Sequence, residues 1–199
     1  MKKISKIIYT KVVIADRLSV YVDSVYKIMK KIIIIILLLI LTGLSVYYFY
    51  PEDTLPVDTE IDRLVVYKSQ RQLHAYSNGE LIKTYRISLG GKPLGHKQFE
   101  GDKKTPEGIY RIDDKNPHSG YHKNLGISYP NEADKKYAGQ YDKSPGGDIK
   151  IHGLRNGTGF ISKFQRWKDW TLGCIAVTDS EIDELYRSVP IGTVIEIKP

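Results

Sequence analysis

Cys174 is the only cysteine of this 199-residue chain, and it closes the run Trp170-Thr171-Leu172-Gly173-Cys174. A lone thiol has no disulfide partner within the chain, so its presence calls for a chemical reading. A thiolate is a strong nucleophile, and a nearby imidazole is the usual means of raising the thiolate fraction. Free cysteine is also among the most buried residue types, so the count alone does not separate a nucleophile from a small apolar core residue. The flanking residues do. His152 ends the apolar run Ile149–His152 and is followed by Gly153, while Cys174 opens Cys174–Val177. Adjacent strand ends would bring the imidazole within hydrogen-bond reach of the sulfur. Gly173 is the residue type needed where backbone closely approaches a reacting carbonyl, and the amides of Gly173 and Cys174 would then face a developing oxyanion.

Other chemistry fits less well. His118 and His122 with His152 have the residue type of zinc ligands, but Gly120 breaks the helix that such spacing normally needs, and no carboxylate motif accompanies them. No metal and no cofactor is expected. A binding module without catalysis is the other rival class.

The elements that must position these residues read as mostly β. Segments 63–69, 72–77 and 81–89 are rich in Val, Ile, Leu and Tyr with partial alternation, which predicts strands. Asn78-Gly79 between the second and third predicts a two-residue hairpin, because both turn positions need positive φ. Further strands are expected at 108–113, 125–129, 149–152, 174–177 and 193–197. One helix is well marked. Thr178 and Glu181 form a capping-box pattern, Ile182, Leu185, Tyr186 and Val189 follow with helical spacing, and Pro190 and Gly192 stop it.

The formal charge of +7 is concentrated at one end. Residues 1–31 hold eight basic and two acidic side chains, whereas the rest hold 22 and 21, so a basic face for nucleic acid is disfavoured. From Ile32 to Tyr50 run 19 uncharged residues, and 32–41 are only Ile or Leu. At about 1.5 Å per residue this spans a hydrocarbon core roughly 30 Å thick. Lys27, Lys30 and Lys31 precede the run, which keeps the N-terminus cytoplasmic and exports the remainder. Tyr47, Tyr48, Phe49 and Tyr50 form an aromatic belt at the outer interface. The expectation is therefore a basic cytoplasmic segment 1–31, a signal anchor 32–50, an exposed linker 51–61 and a catalytic domain 62–198. A cleavable signal peptide beginning at Met29 is the competing reading of the same run.

With these residues in order, the chain resembles the L,D-transpeptidase catalytic domain of YkuD type over roughly 62–198. The resemblance rests on Leu64–Leu73, the Asn-Gly hairpin, Ile87–Gly91, Gly101–Tyr110, Gly126–Asn131, Asp148–Gly153 and the segment around Cys174. It implies a mainly β fold (a β-sandwich or mixed β domain with few short helices), with Cys174 as nucleophile, His152 as base and the Gly153 carbonyl orienting the imidazole. Two departures stand out: Leu172 occupies the place of a second histidine found in many relatives, and Ala176 that of Arg or Asn. Thr171, Arg155 and Trp170 are the expected substrate-binding residues, and the aromatic insert 160–170 is expected to form a short helix or lid. The implied partner is a peptidoglycan stem peptide, and Cys174 would release the terminal D-alanine of a tetrapeptide and hold a thioester. A stem amine or the lysine of a wall-anchored protein would resolve it. With water as acceptor the same residues make a carboxypeptidase or an amidase.

Overall fold

The computed structural model describes residues 2–199, with side chains from Arg17 onward. The chain divides into two units, 1–51 and 52–199. The first is one helix, α1 (Lys2–Phe49). Its segment Arg17–Phe49, whose most apolar stretch has a mean hydropathy of 2.7 and no buried residues, is long and apolar enough to cross a membrane. Lys2, Lys3, Lys6 and Lys11 of the basic segment have side chains outside those described.

The second unit is mostly β with few helices, as the sequence predicts. Its strands are β1 (Arg63–Tyr67), β2 (Gln72–Ser77), β3 (Glu80–Arg86), β4 (Gly108–Ser119), β5 (His122–Ile127), β6 (Lys150–His152), β7 (Ile175–Ala176) and β8 (Val194–Lys198). They form one sheet in the order β3-β2-β1-β8-β4-β5-β6-β7. Asn78 and Gly79 turn β2 into β3 with φ of 51° and 83°, as a hairpin of this type requires. β4 joins the two halves of the sheet. Its first residues, Gly108–Arg111, pair with β8, and Ile112–Ser119 pair with β5 through two register shifts. A single long strand, bulged in mid-course, thus bends the sheet so that both halves share one core.

That core is drawn from alternate strand positions and from α3 (Asp179–Ser188). Leu64, Val66, Leu73, Ile112, Leu125, Ile151, Ile175, Ile195 and the helix residues Ile182 and Leu185 are fully buried. Thr178 caps α3, and Glu181 completes the capping box. A second short helix, α2 (Glu132–Gly139), has its own capping box from Asn131 and Asp134. It was not expected from the sequence, since eight mainly polar residues carry almost no apolar periodicity. β4 also runs six residues past its expected end, because Asp114–Ser119 carries no apolar strand pattern while pairing as strand.

The segment 51–61 is exposed along much of its length but tethered. The Glu52 carboxylate forms a fork-shaped pair with Arg166, at 2.6 and 3.0 Å, and Arg166 also reaches Glu181 at 2.8 Å. The Leu55 N–H donates to Glu184 Oε2 at 2.6 Å. Glu184 further accepts from Lys83 at 2.6 Å and from the fully buried Tyr85 hydroxyl. These partners hold the Glu184 carboxyl below its ordinary pKa against the opposing effect of burial. A lowered folded-state pKa means stability that is present above the unfolded value and lost as pH falls through the folded one. Glu184→Ala strips three donors of their acceptor and should lower the unfolding free energy by about 2–4 kcal/mol. Thermal melting at neutral pH would show it, with the deficit narrowing below about pH 4 as the wild-type carboxyl protonates.

Candidate active site

β6 is only three residues long, yet it is held from both sides. Lys150, Ile151 and His152 face Gly126, Leu125 and Asn124 of β5, and Ile151 and His152 face Ile175 and Ala176 of β7 in parallel register. Side chains alternate along a strand, so Cys174, two residues before Ala176, lies on the same face as His152. Both residues line one cavity of about 710 Å³, together with Tyr121, Asn124, Trp170 and Lys150.

His152 is 5% exposed. Its Nδ1–H donates to the Gly153 carbonyl at 2.6 Å, which fixes the neutral tautomer with the Nε2 lone pair free to take a proton. Gly153 is tightly enclosed: a Cβ there would stand 2.7 Å from Asp179 Oδ1 and 3.0 Å from the Ile182 side chain. Asp179 Oδ1 also accepts the Leu154 N–H at 2.7 Å, so the first turn of α3 clamps the residues after His152. Two aromatic rings flank the imidazole. Tyr121 lies at 4.7 Å between centroids and Trp170 edge-on at 5.7 Å. Trp170 is steadied by its Nε1–H bond to Gln165 at 3.0 Å.

The turn that carries Cys174 is braced from within. Thr171 Oγ1 donates to the Cys174 carbonyl at 2.7 Å and accepts the Gly173 N–H at 3.1 Å. Backbone bonds run from Thr171 to Leu89 and from Gly91 to Thr171, and Asp169 receives both Arg71 and the Leu89 N–H. Gly173 has φ of 144°, and a Cβ there would be 2.7 Å from the Lys104 carbonyl, so no other residue fits without displacing backbone. Its N–H is spent on Thr171, which corrects the expectation that the Gly173 amide faces an oxyanion. Among the described residues the Cys174 N–H has no partner, and it is the amide that remains for that task.

The thiol donates to the Asp148 carbonyl at 3.6 Å. Burial pushes the Cys174 pKa above its ordinary value, and burial likewise pushes His152 below its own. The two therefore rest as thiol and neutral imidazole at neutral pH.

The other expected site residues divide. Trp170 and Thr171 line the cavity, although both hydrogen-bonding directions of the Thr171 hydroxyl are used inside the turn. Arg155 is exposed on the loop after β6 and is not part of the cavity wall. The insert forms a 3₁₀ helix, Gly159–Trp167, kinked at Ser162, whose φ is 44°. The short helix is thus present; its own residues stay out of the cavity wall, but its buried Gln165 holds the insert's last residue, Trp170, which lines the cavity. Leu172, 74% exposed, stands at the rim. His118 and Tyr121 line the cavity at the β4–β5 turn, whereas His122 turns away to Asp183 at 2.9 Å. Sequence reading missed Tyr121 and Asn124. A tyrosine beside Gly120 in a tight turn and an asparagine inside a strand carry no signal until pairing sets them beside His152.

The curved β fold with Cys174 and His152 in one cavity agrees with the match of residues 61–197 to the L,D-transpeptidase catalytic domain (YkuD), and the chain belongs to that family. The chain is 30% identical over 132 residues to YafK of Escherichia coli strain K12, a protein named for the L,D-transpeptidases, covering 62% of this chain and 45% of YafK. It is also similar in structure to the helical cell shape determining protein Pgp2 of Campylobacter jejuni, with a TM-score of 0.54 and 25% identity, over 71% of this chain and 48% of Pgp2. The chain thus spans less than half the length of each of these relatives.

The resting state makes a checkable statement about the free enzyme. Alkylation of Cys174 by iodoacetamide should accelerate with an inflection above the ordinary thiol value of about 8.5. An inflection near or below pH 6 would mean that a thiolate–imidazolium pair exists before substrate binds.

Proposed function

We propose that Cys174 and His152 carry out acyl transfer on peptidoglycan stem peptides through a thioester. The observation that carries this reading is the pairing of β6 with β7. It sets the imidazole and the thiol on one face of one cavity, with Nδ1–H committed to Gly153 and Nε2 left as the base. In this mechanism Nε2 takes the thiol proton as the sulfur attacks the carbonyl of the residue-3 diamino acid, and the Cys174 N–H stabilises the oxyanion. The imidazolium returns the proton to the leaving amine, and D-alanine departs. An amine then attacks the thioester. If it belongs to another stem the product is a 3–3 cross-link, and if it belongs to a protein lysine the product is a protein attached to the wall. The membrane-type run Ile32–Tyr50 anchors the chain in the cytoplasmic membrane with the residues after it outside, where the wall is built. The likeness to Pgp2 makes a role in cell shape part of the same proposal.

Incubating the protein with tetrapeptide muropeptides and reading product masses tests the reading. A cross-linked dimer is the expected product, a tripeptide alone makes the enzyme a hydrolase, and unchanged substrate overturns both. Cys174→Ser should abolish turnover while melting like the wild type, because a neutral hydroxyl is a far weaker nucleophile than an activated thiol.

His152→Ala should be severely slowed at neutral pH and should recover partly as pH rises. With Leu172 at the rim there is no second histidine in this turn, so His152 alone generates thiolate near pH 7. Alkaline solution replaces that function but cannot return a proton to the leaving amine in position, so recovery stays incomplete. Acylation rate against pH with a chromogenic β-lactam measures it. A variant that matches wild type at pH 7 would assign the base elsewhere.

A further inference from the structure

Asn124 is 2% exposed, yet neither atom of its carboxamide has a hydrogen-bond partner among the described residues, and Oδ1 is buried outright. An unpaired buried carboxamide is costly, and a native site that keeps one calls for a partner that arrives later. Its position indicates what that partner is. Asn124 lies directly opposite His152 across β5 and β6, and directly opposite Asn116 across β5 and β4. Ala176, His152, Asn124 and Asn116 therefore form one row across four strands, and the last three line the cavity. Cys174 lies on the far side of His152 from Asn124 along this row, displaced by two residues. His152 therefore stands between Asn124 and the strand that leads from Cys174, and a nitrogen that exchanged a proton with His152 would come beside Asn124.

We propose that Asn124 accepts the N–H of the scissile amide and, in the return step, of the incoming amine. The inference rests on the thioester reading above. As the sulfur–carbon bond forms and the carbon–nitrogen bond breaks, the leaving nitrogen gains the proton that His152 took from the thiol. It keeps throughout the hydrogen it carried in the peptide. That hydrogen needs an acceptor in a cavity whose wall beside His152 is made by Tyr121 and Trp170. The Oδ1 of Asn124 supplies it once a turn about the terminal side-chain bond brings the oxygen, which is nearly isosteric with the amide nitrogen, to face the cavity. An amine attacking the thioester reverses these steps: it gives one proton to His152 and presents another to Asn124.

The test removes one atom from the substrate. The tetrapeptide and its D-lactate ester differ only in that the ester oxygen carries no hydrogen. Asn124→Leu should lower kcat/KM for the amide by about 10- to 100-fold and for the ester by less than about threefold. Ester turnover doubles as the check that the variant is folded. Should Asn124→Leu not fold, Asn124→Ala, which adds no bulk, is read in the same way. Equal losses on both substrates, or no loss on the amide, overturn the proposal while leaving the thioester reading intact. A wild-type protein that cleaves neither substrate overturns that reading, and this inference with it.

Discussion

Three residues of strand, Lys150–His152, must be held in register between two neighbours, and the chemistry of the domain hangs on that. β5 fixes one side through Asn124, Leu125 and Gly126, and β7 fixes the other through Ile175 and Ala176. A slip of one residue would turn His152 into the core and Ile151 into the cavity. Ile151 and Ile175, both fully buried and directly paired, make that slip expensive. The apolar residues of β6 and β7 therefore select the register, and the register presents the polar ones. α3 adds a second restraint, because its first residue, Asp179, binds the Leu154 N–H and leaves no room for a side chain at Gly153.

The turn that carries the nucleophile is governed by a different kind of constraint. Thr171–Cys174 has little strand structure of its own, so its conformation comes from hydrogen bonds rather than burial. Thr171 ties two backbone groups of the turn together, Asp169 ties its entry to Arg71 and Leu89, and Ser88 pairs with Ala176 at its exit. Gly173 completes the arrangement by letting the turn pass against the Lys104 carbonyl. Rigid positioning of this sort matters in acyl transfer, where sulfur, carbonyl and oxyanion donor must meet within a few tenths of an ångström.

Much of this was legible in the sequence, and the parts that were not share a cause. The Asn78-Gly79 turn, the Thr178 cap and the apolar periodicity of α3 are local signals, and the structure shows each of them. The last residues of β4 were not legible because Asp114–Ser119 is polar, and its pairing with β5 is a tertiary event. The same holds in the site. Cys174 and His152 could be named from residue type and order, and Gly153 from the resemblance to the family. Tyr121 and Asn124 could not, since each becomes a neighbour of His152 only through the β4–β5 hairpin and its register with β6. The exclusion of Arg155 from the cavity has the same origin. Sequence proximity to His152 suggested a role, but the chain leaves the sheet at Gly153 and carries Arg155 outward.

The electrostatics of the cavity also follow from this packing. Enclosing His152 between Tyr121, Trp170 and the neighbouring strands removes the water that would solvate an imidazolium, and the nearby Lys150 opposes the same charge. The thiol is subject to the same desolvation and is additionally occupied by the Asp148 carbonyl. A charge-separated pair is therefore disfavoured in the empty site. In the proposed mechanism, proton transfer would become favourable once a substrate carbonyl sat where the Cys174 N–H could stabilise the charge that leaves the sulfur. Leu172 at the rim reinforces this behaviour, because it puts an alkyl group where a second imidazole would have offered the thiolate another donor. In the acyl transfer proposed above, such a site would keep the sulfur as a thiol until an acyl group is bound.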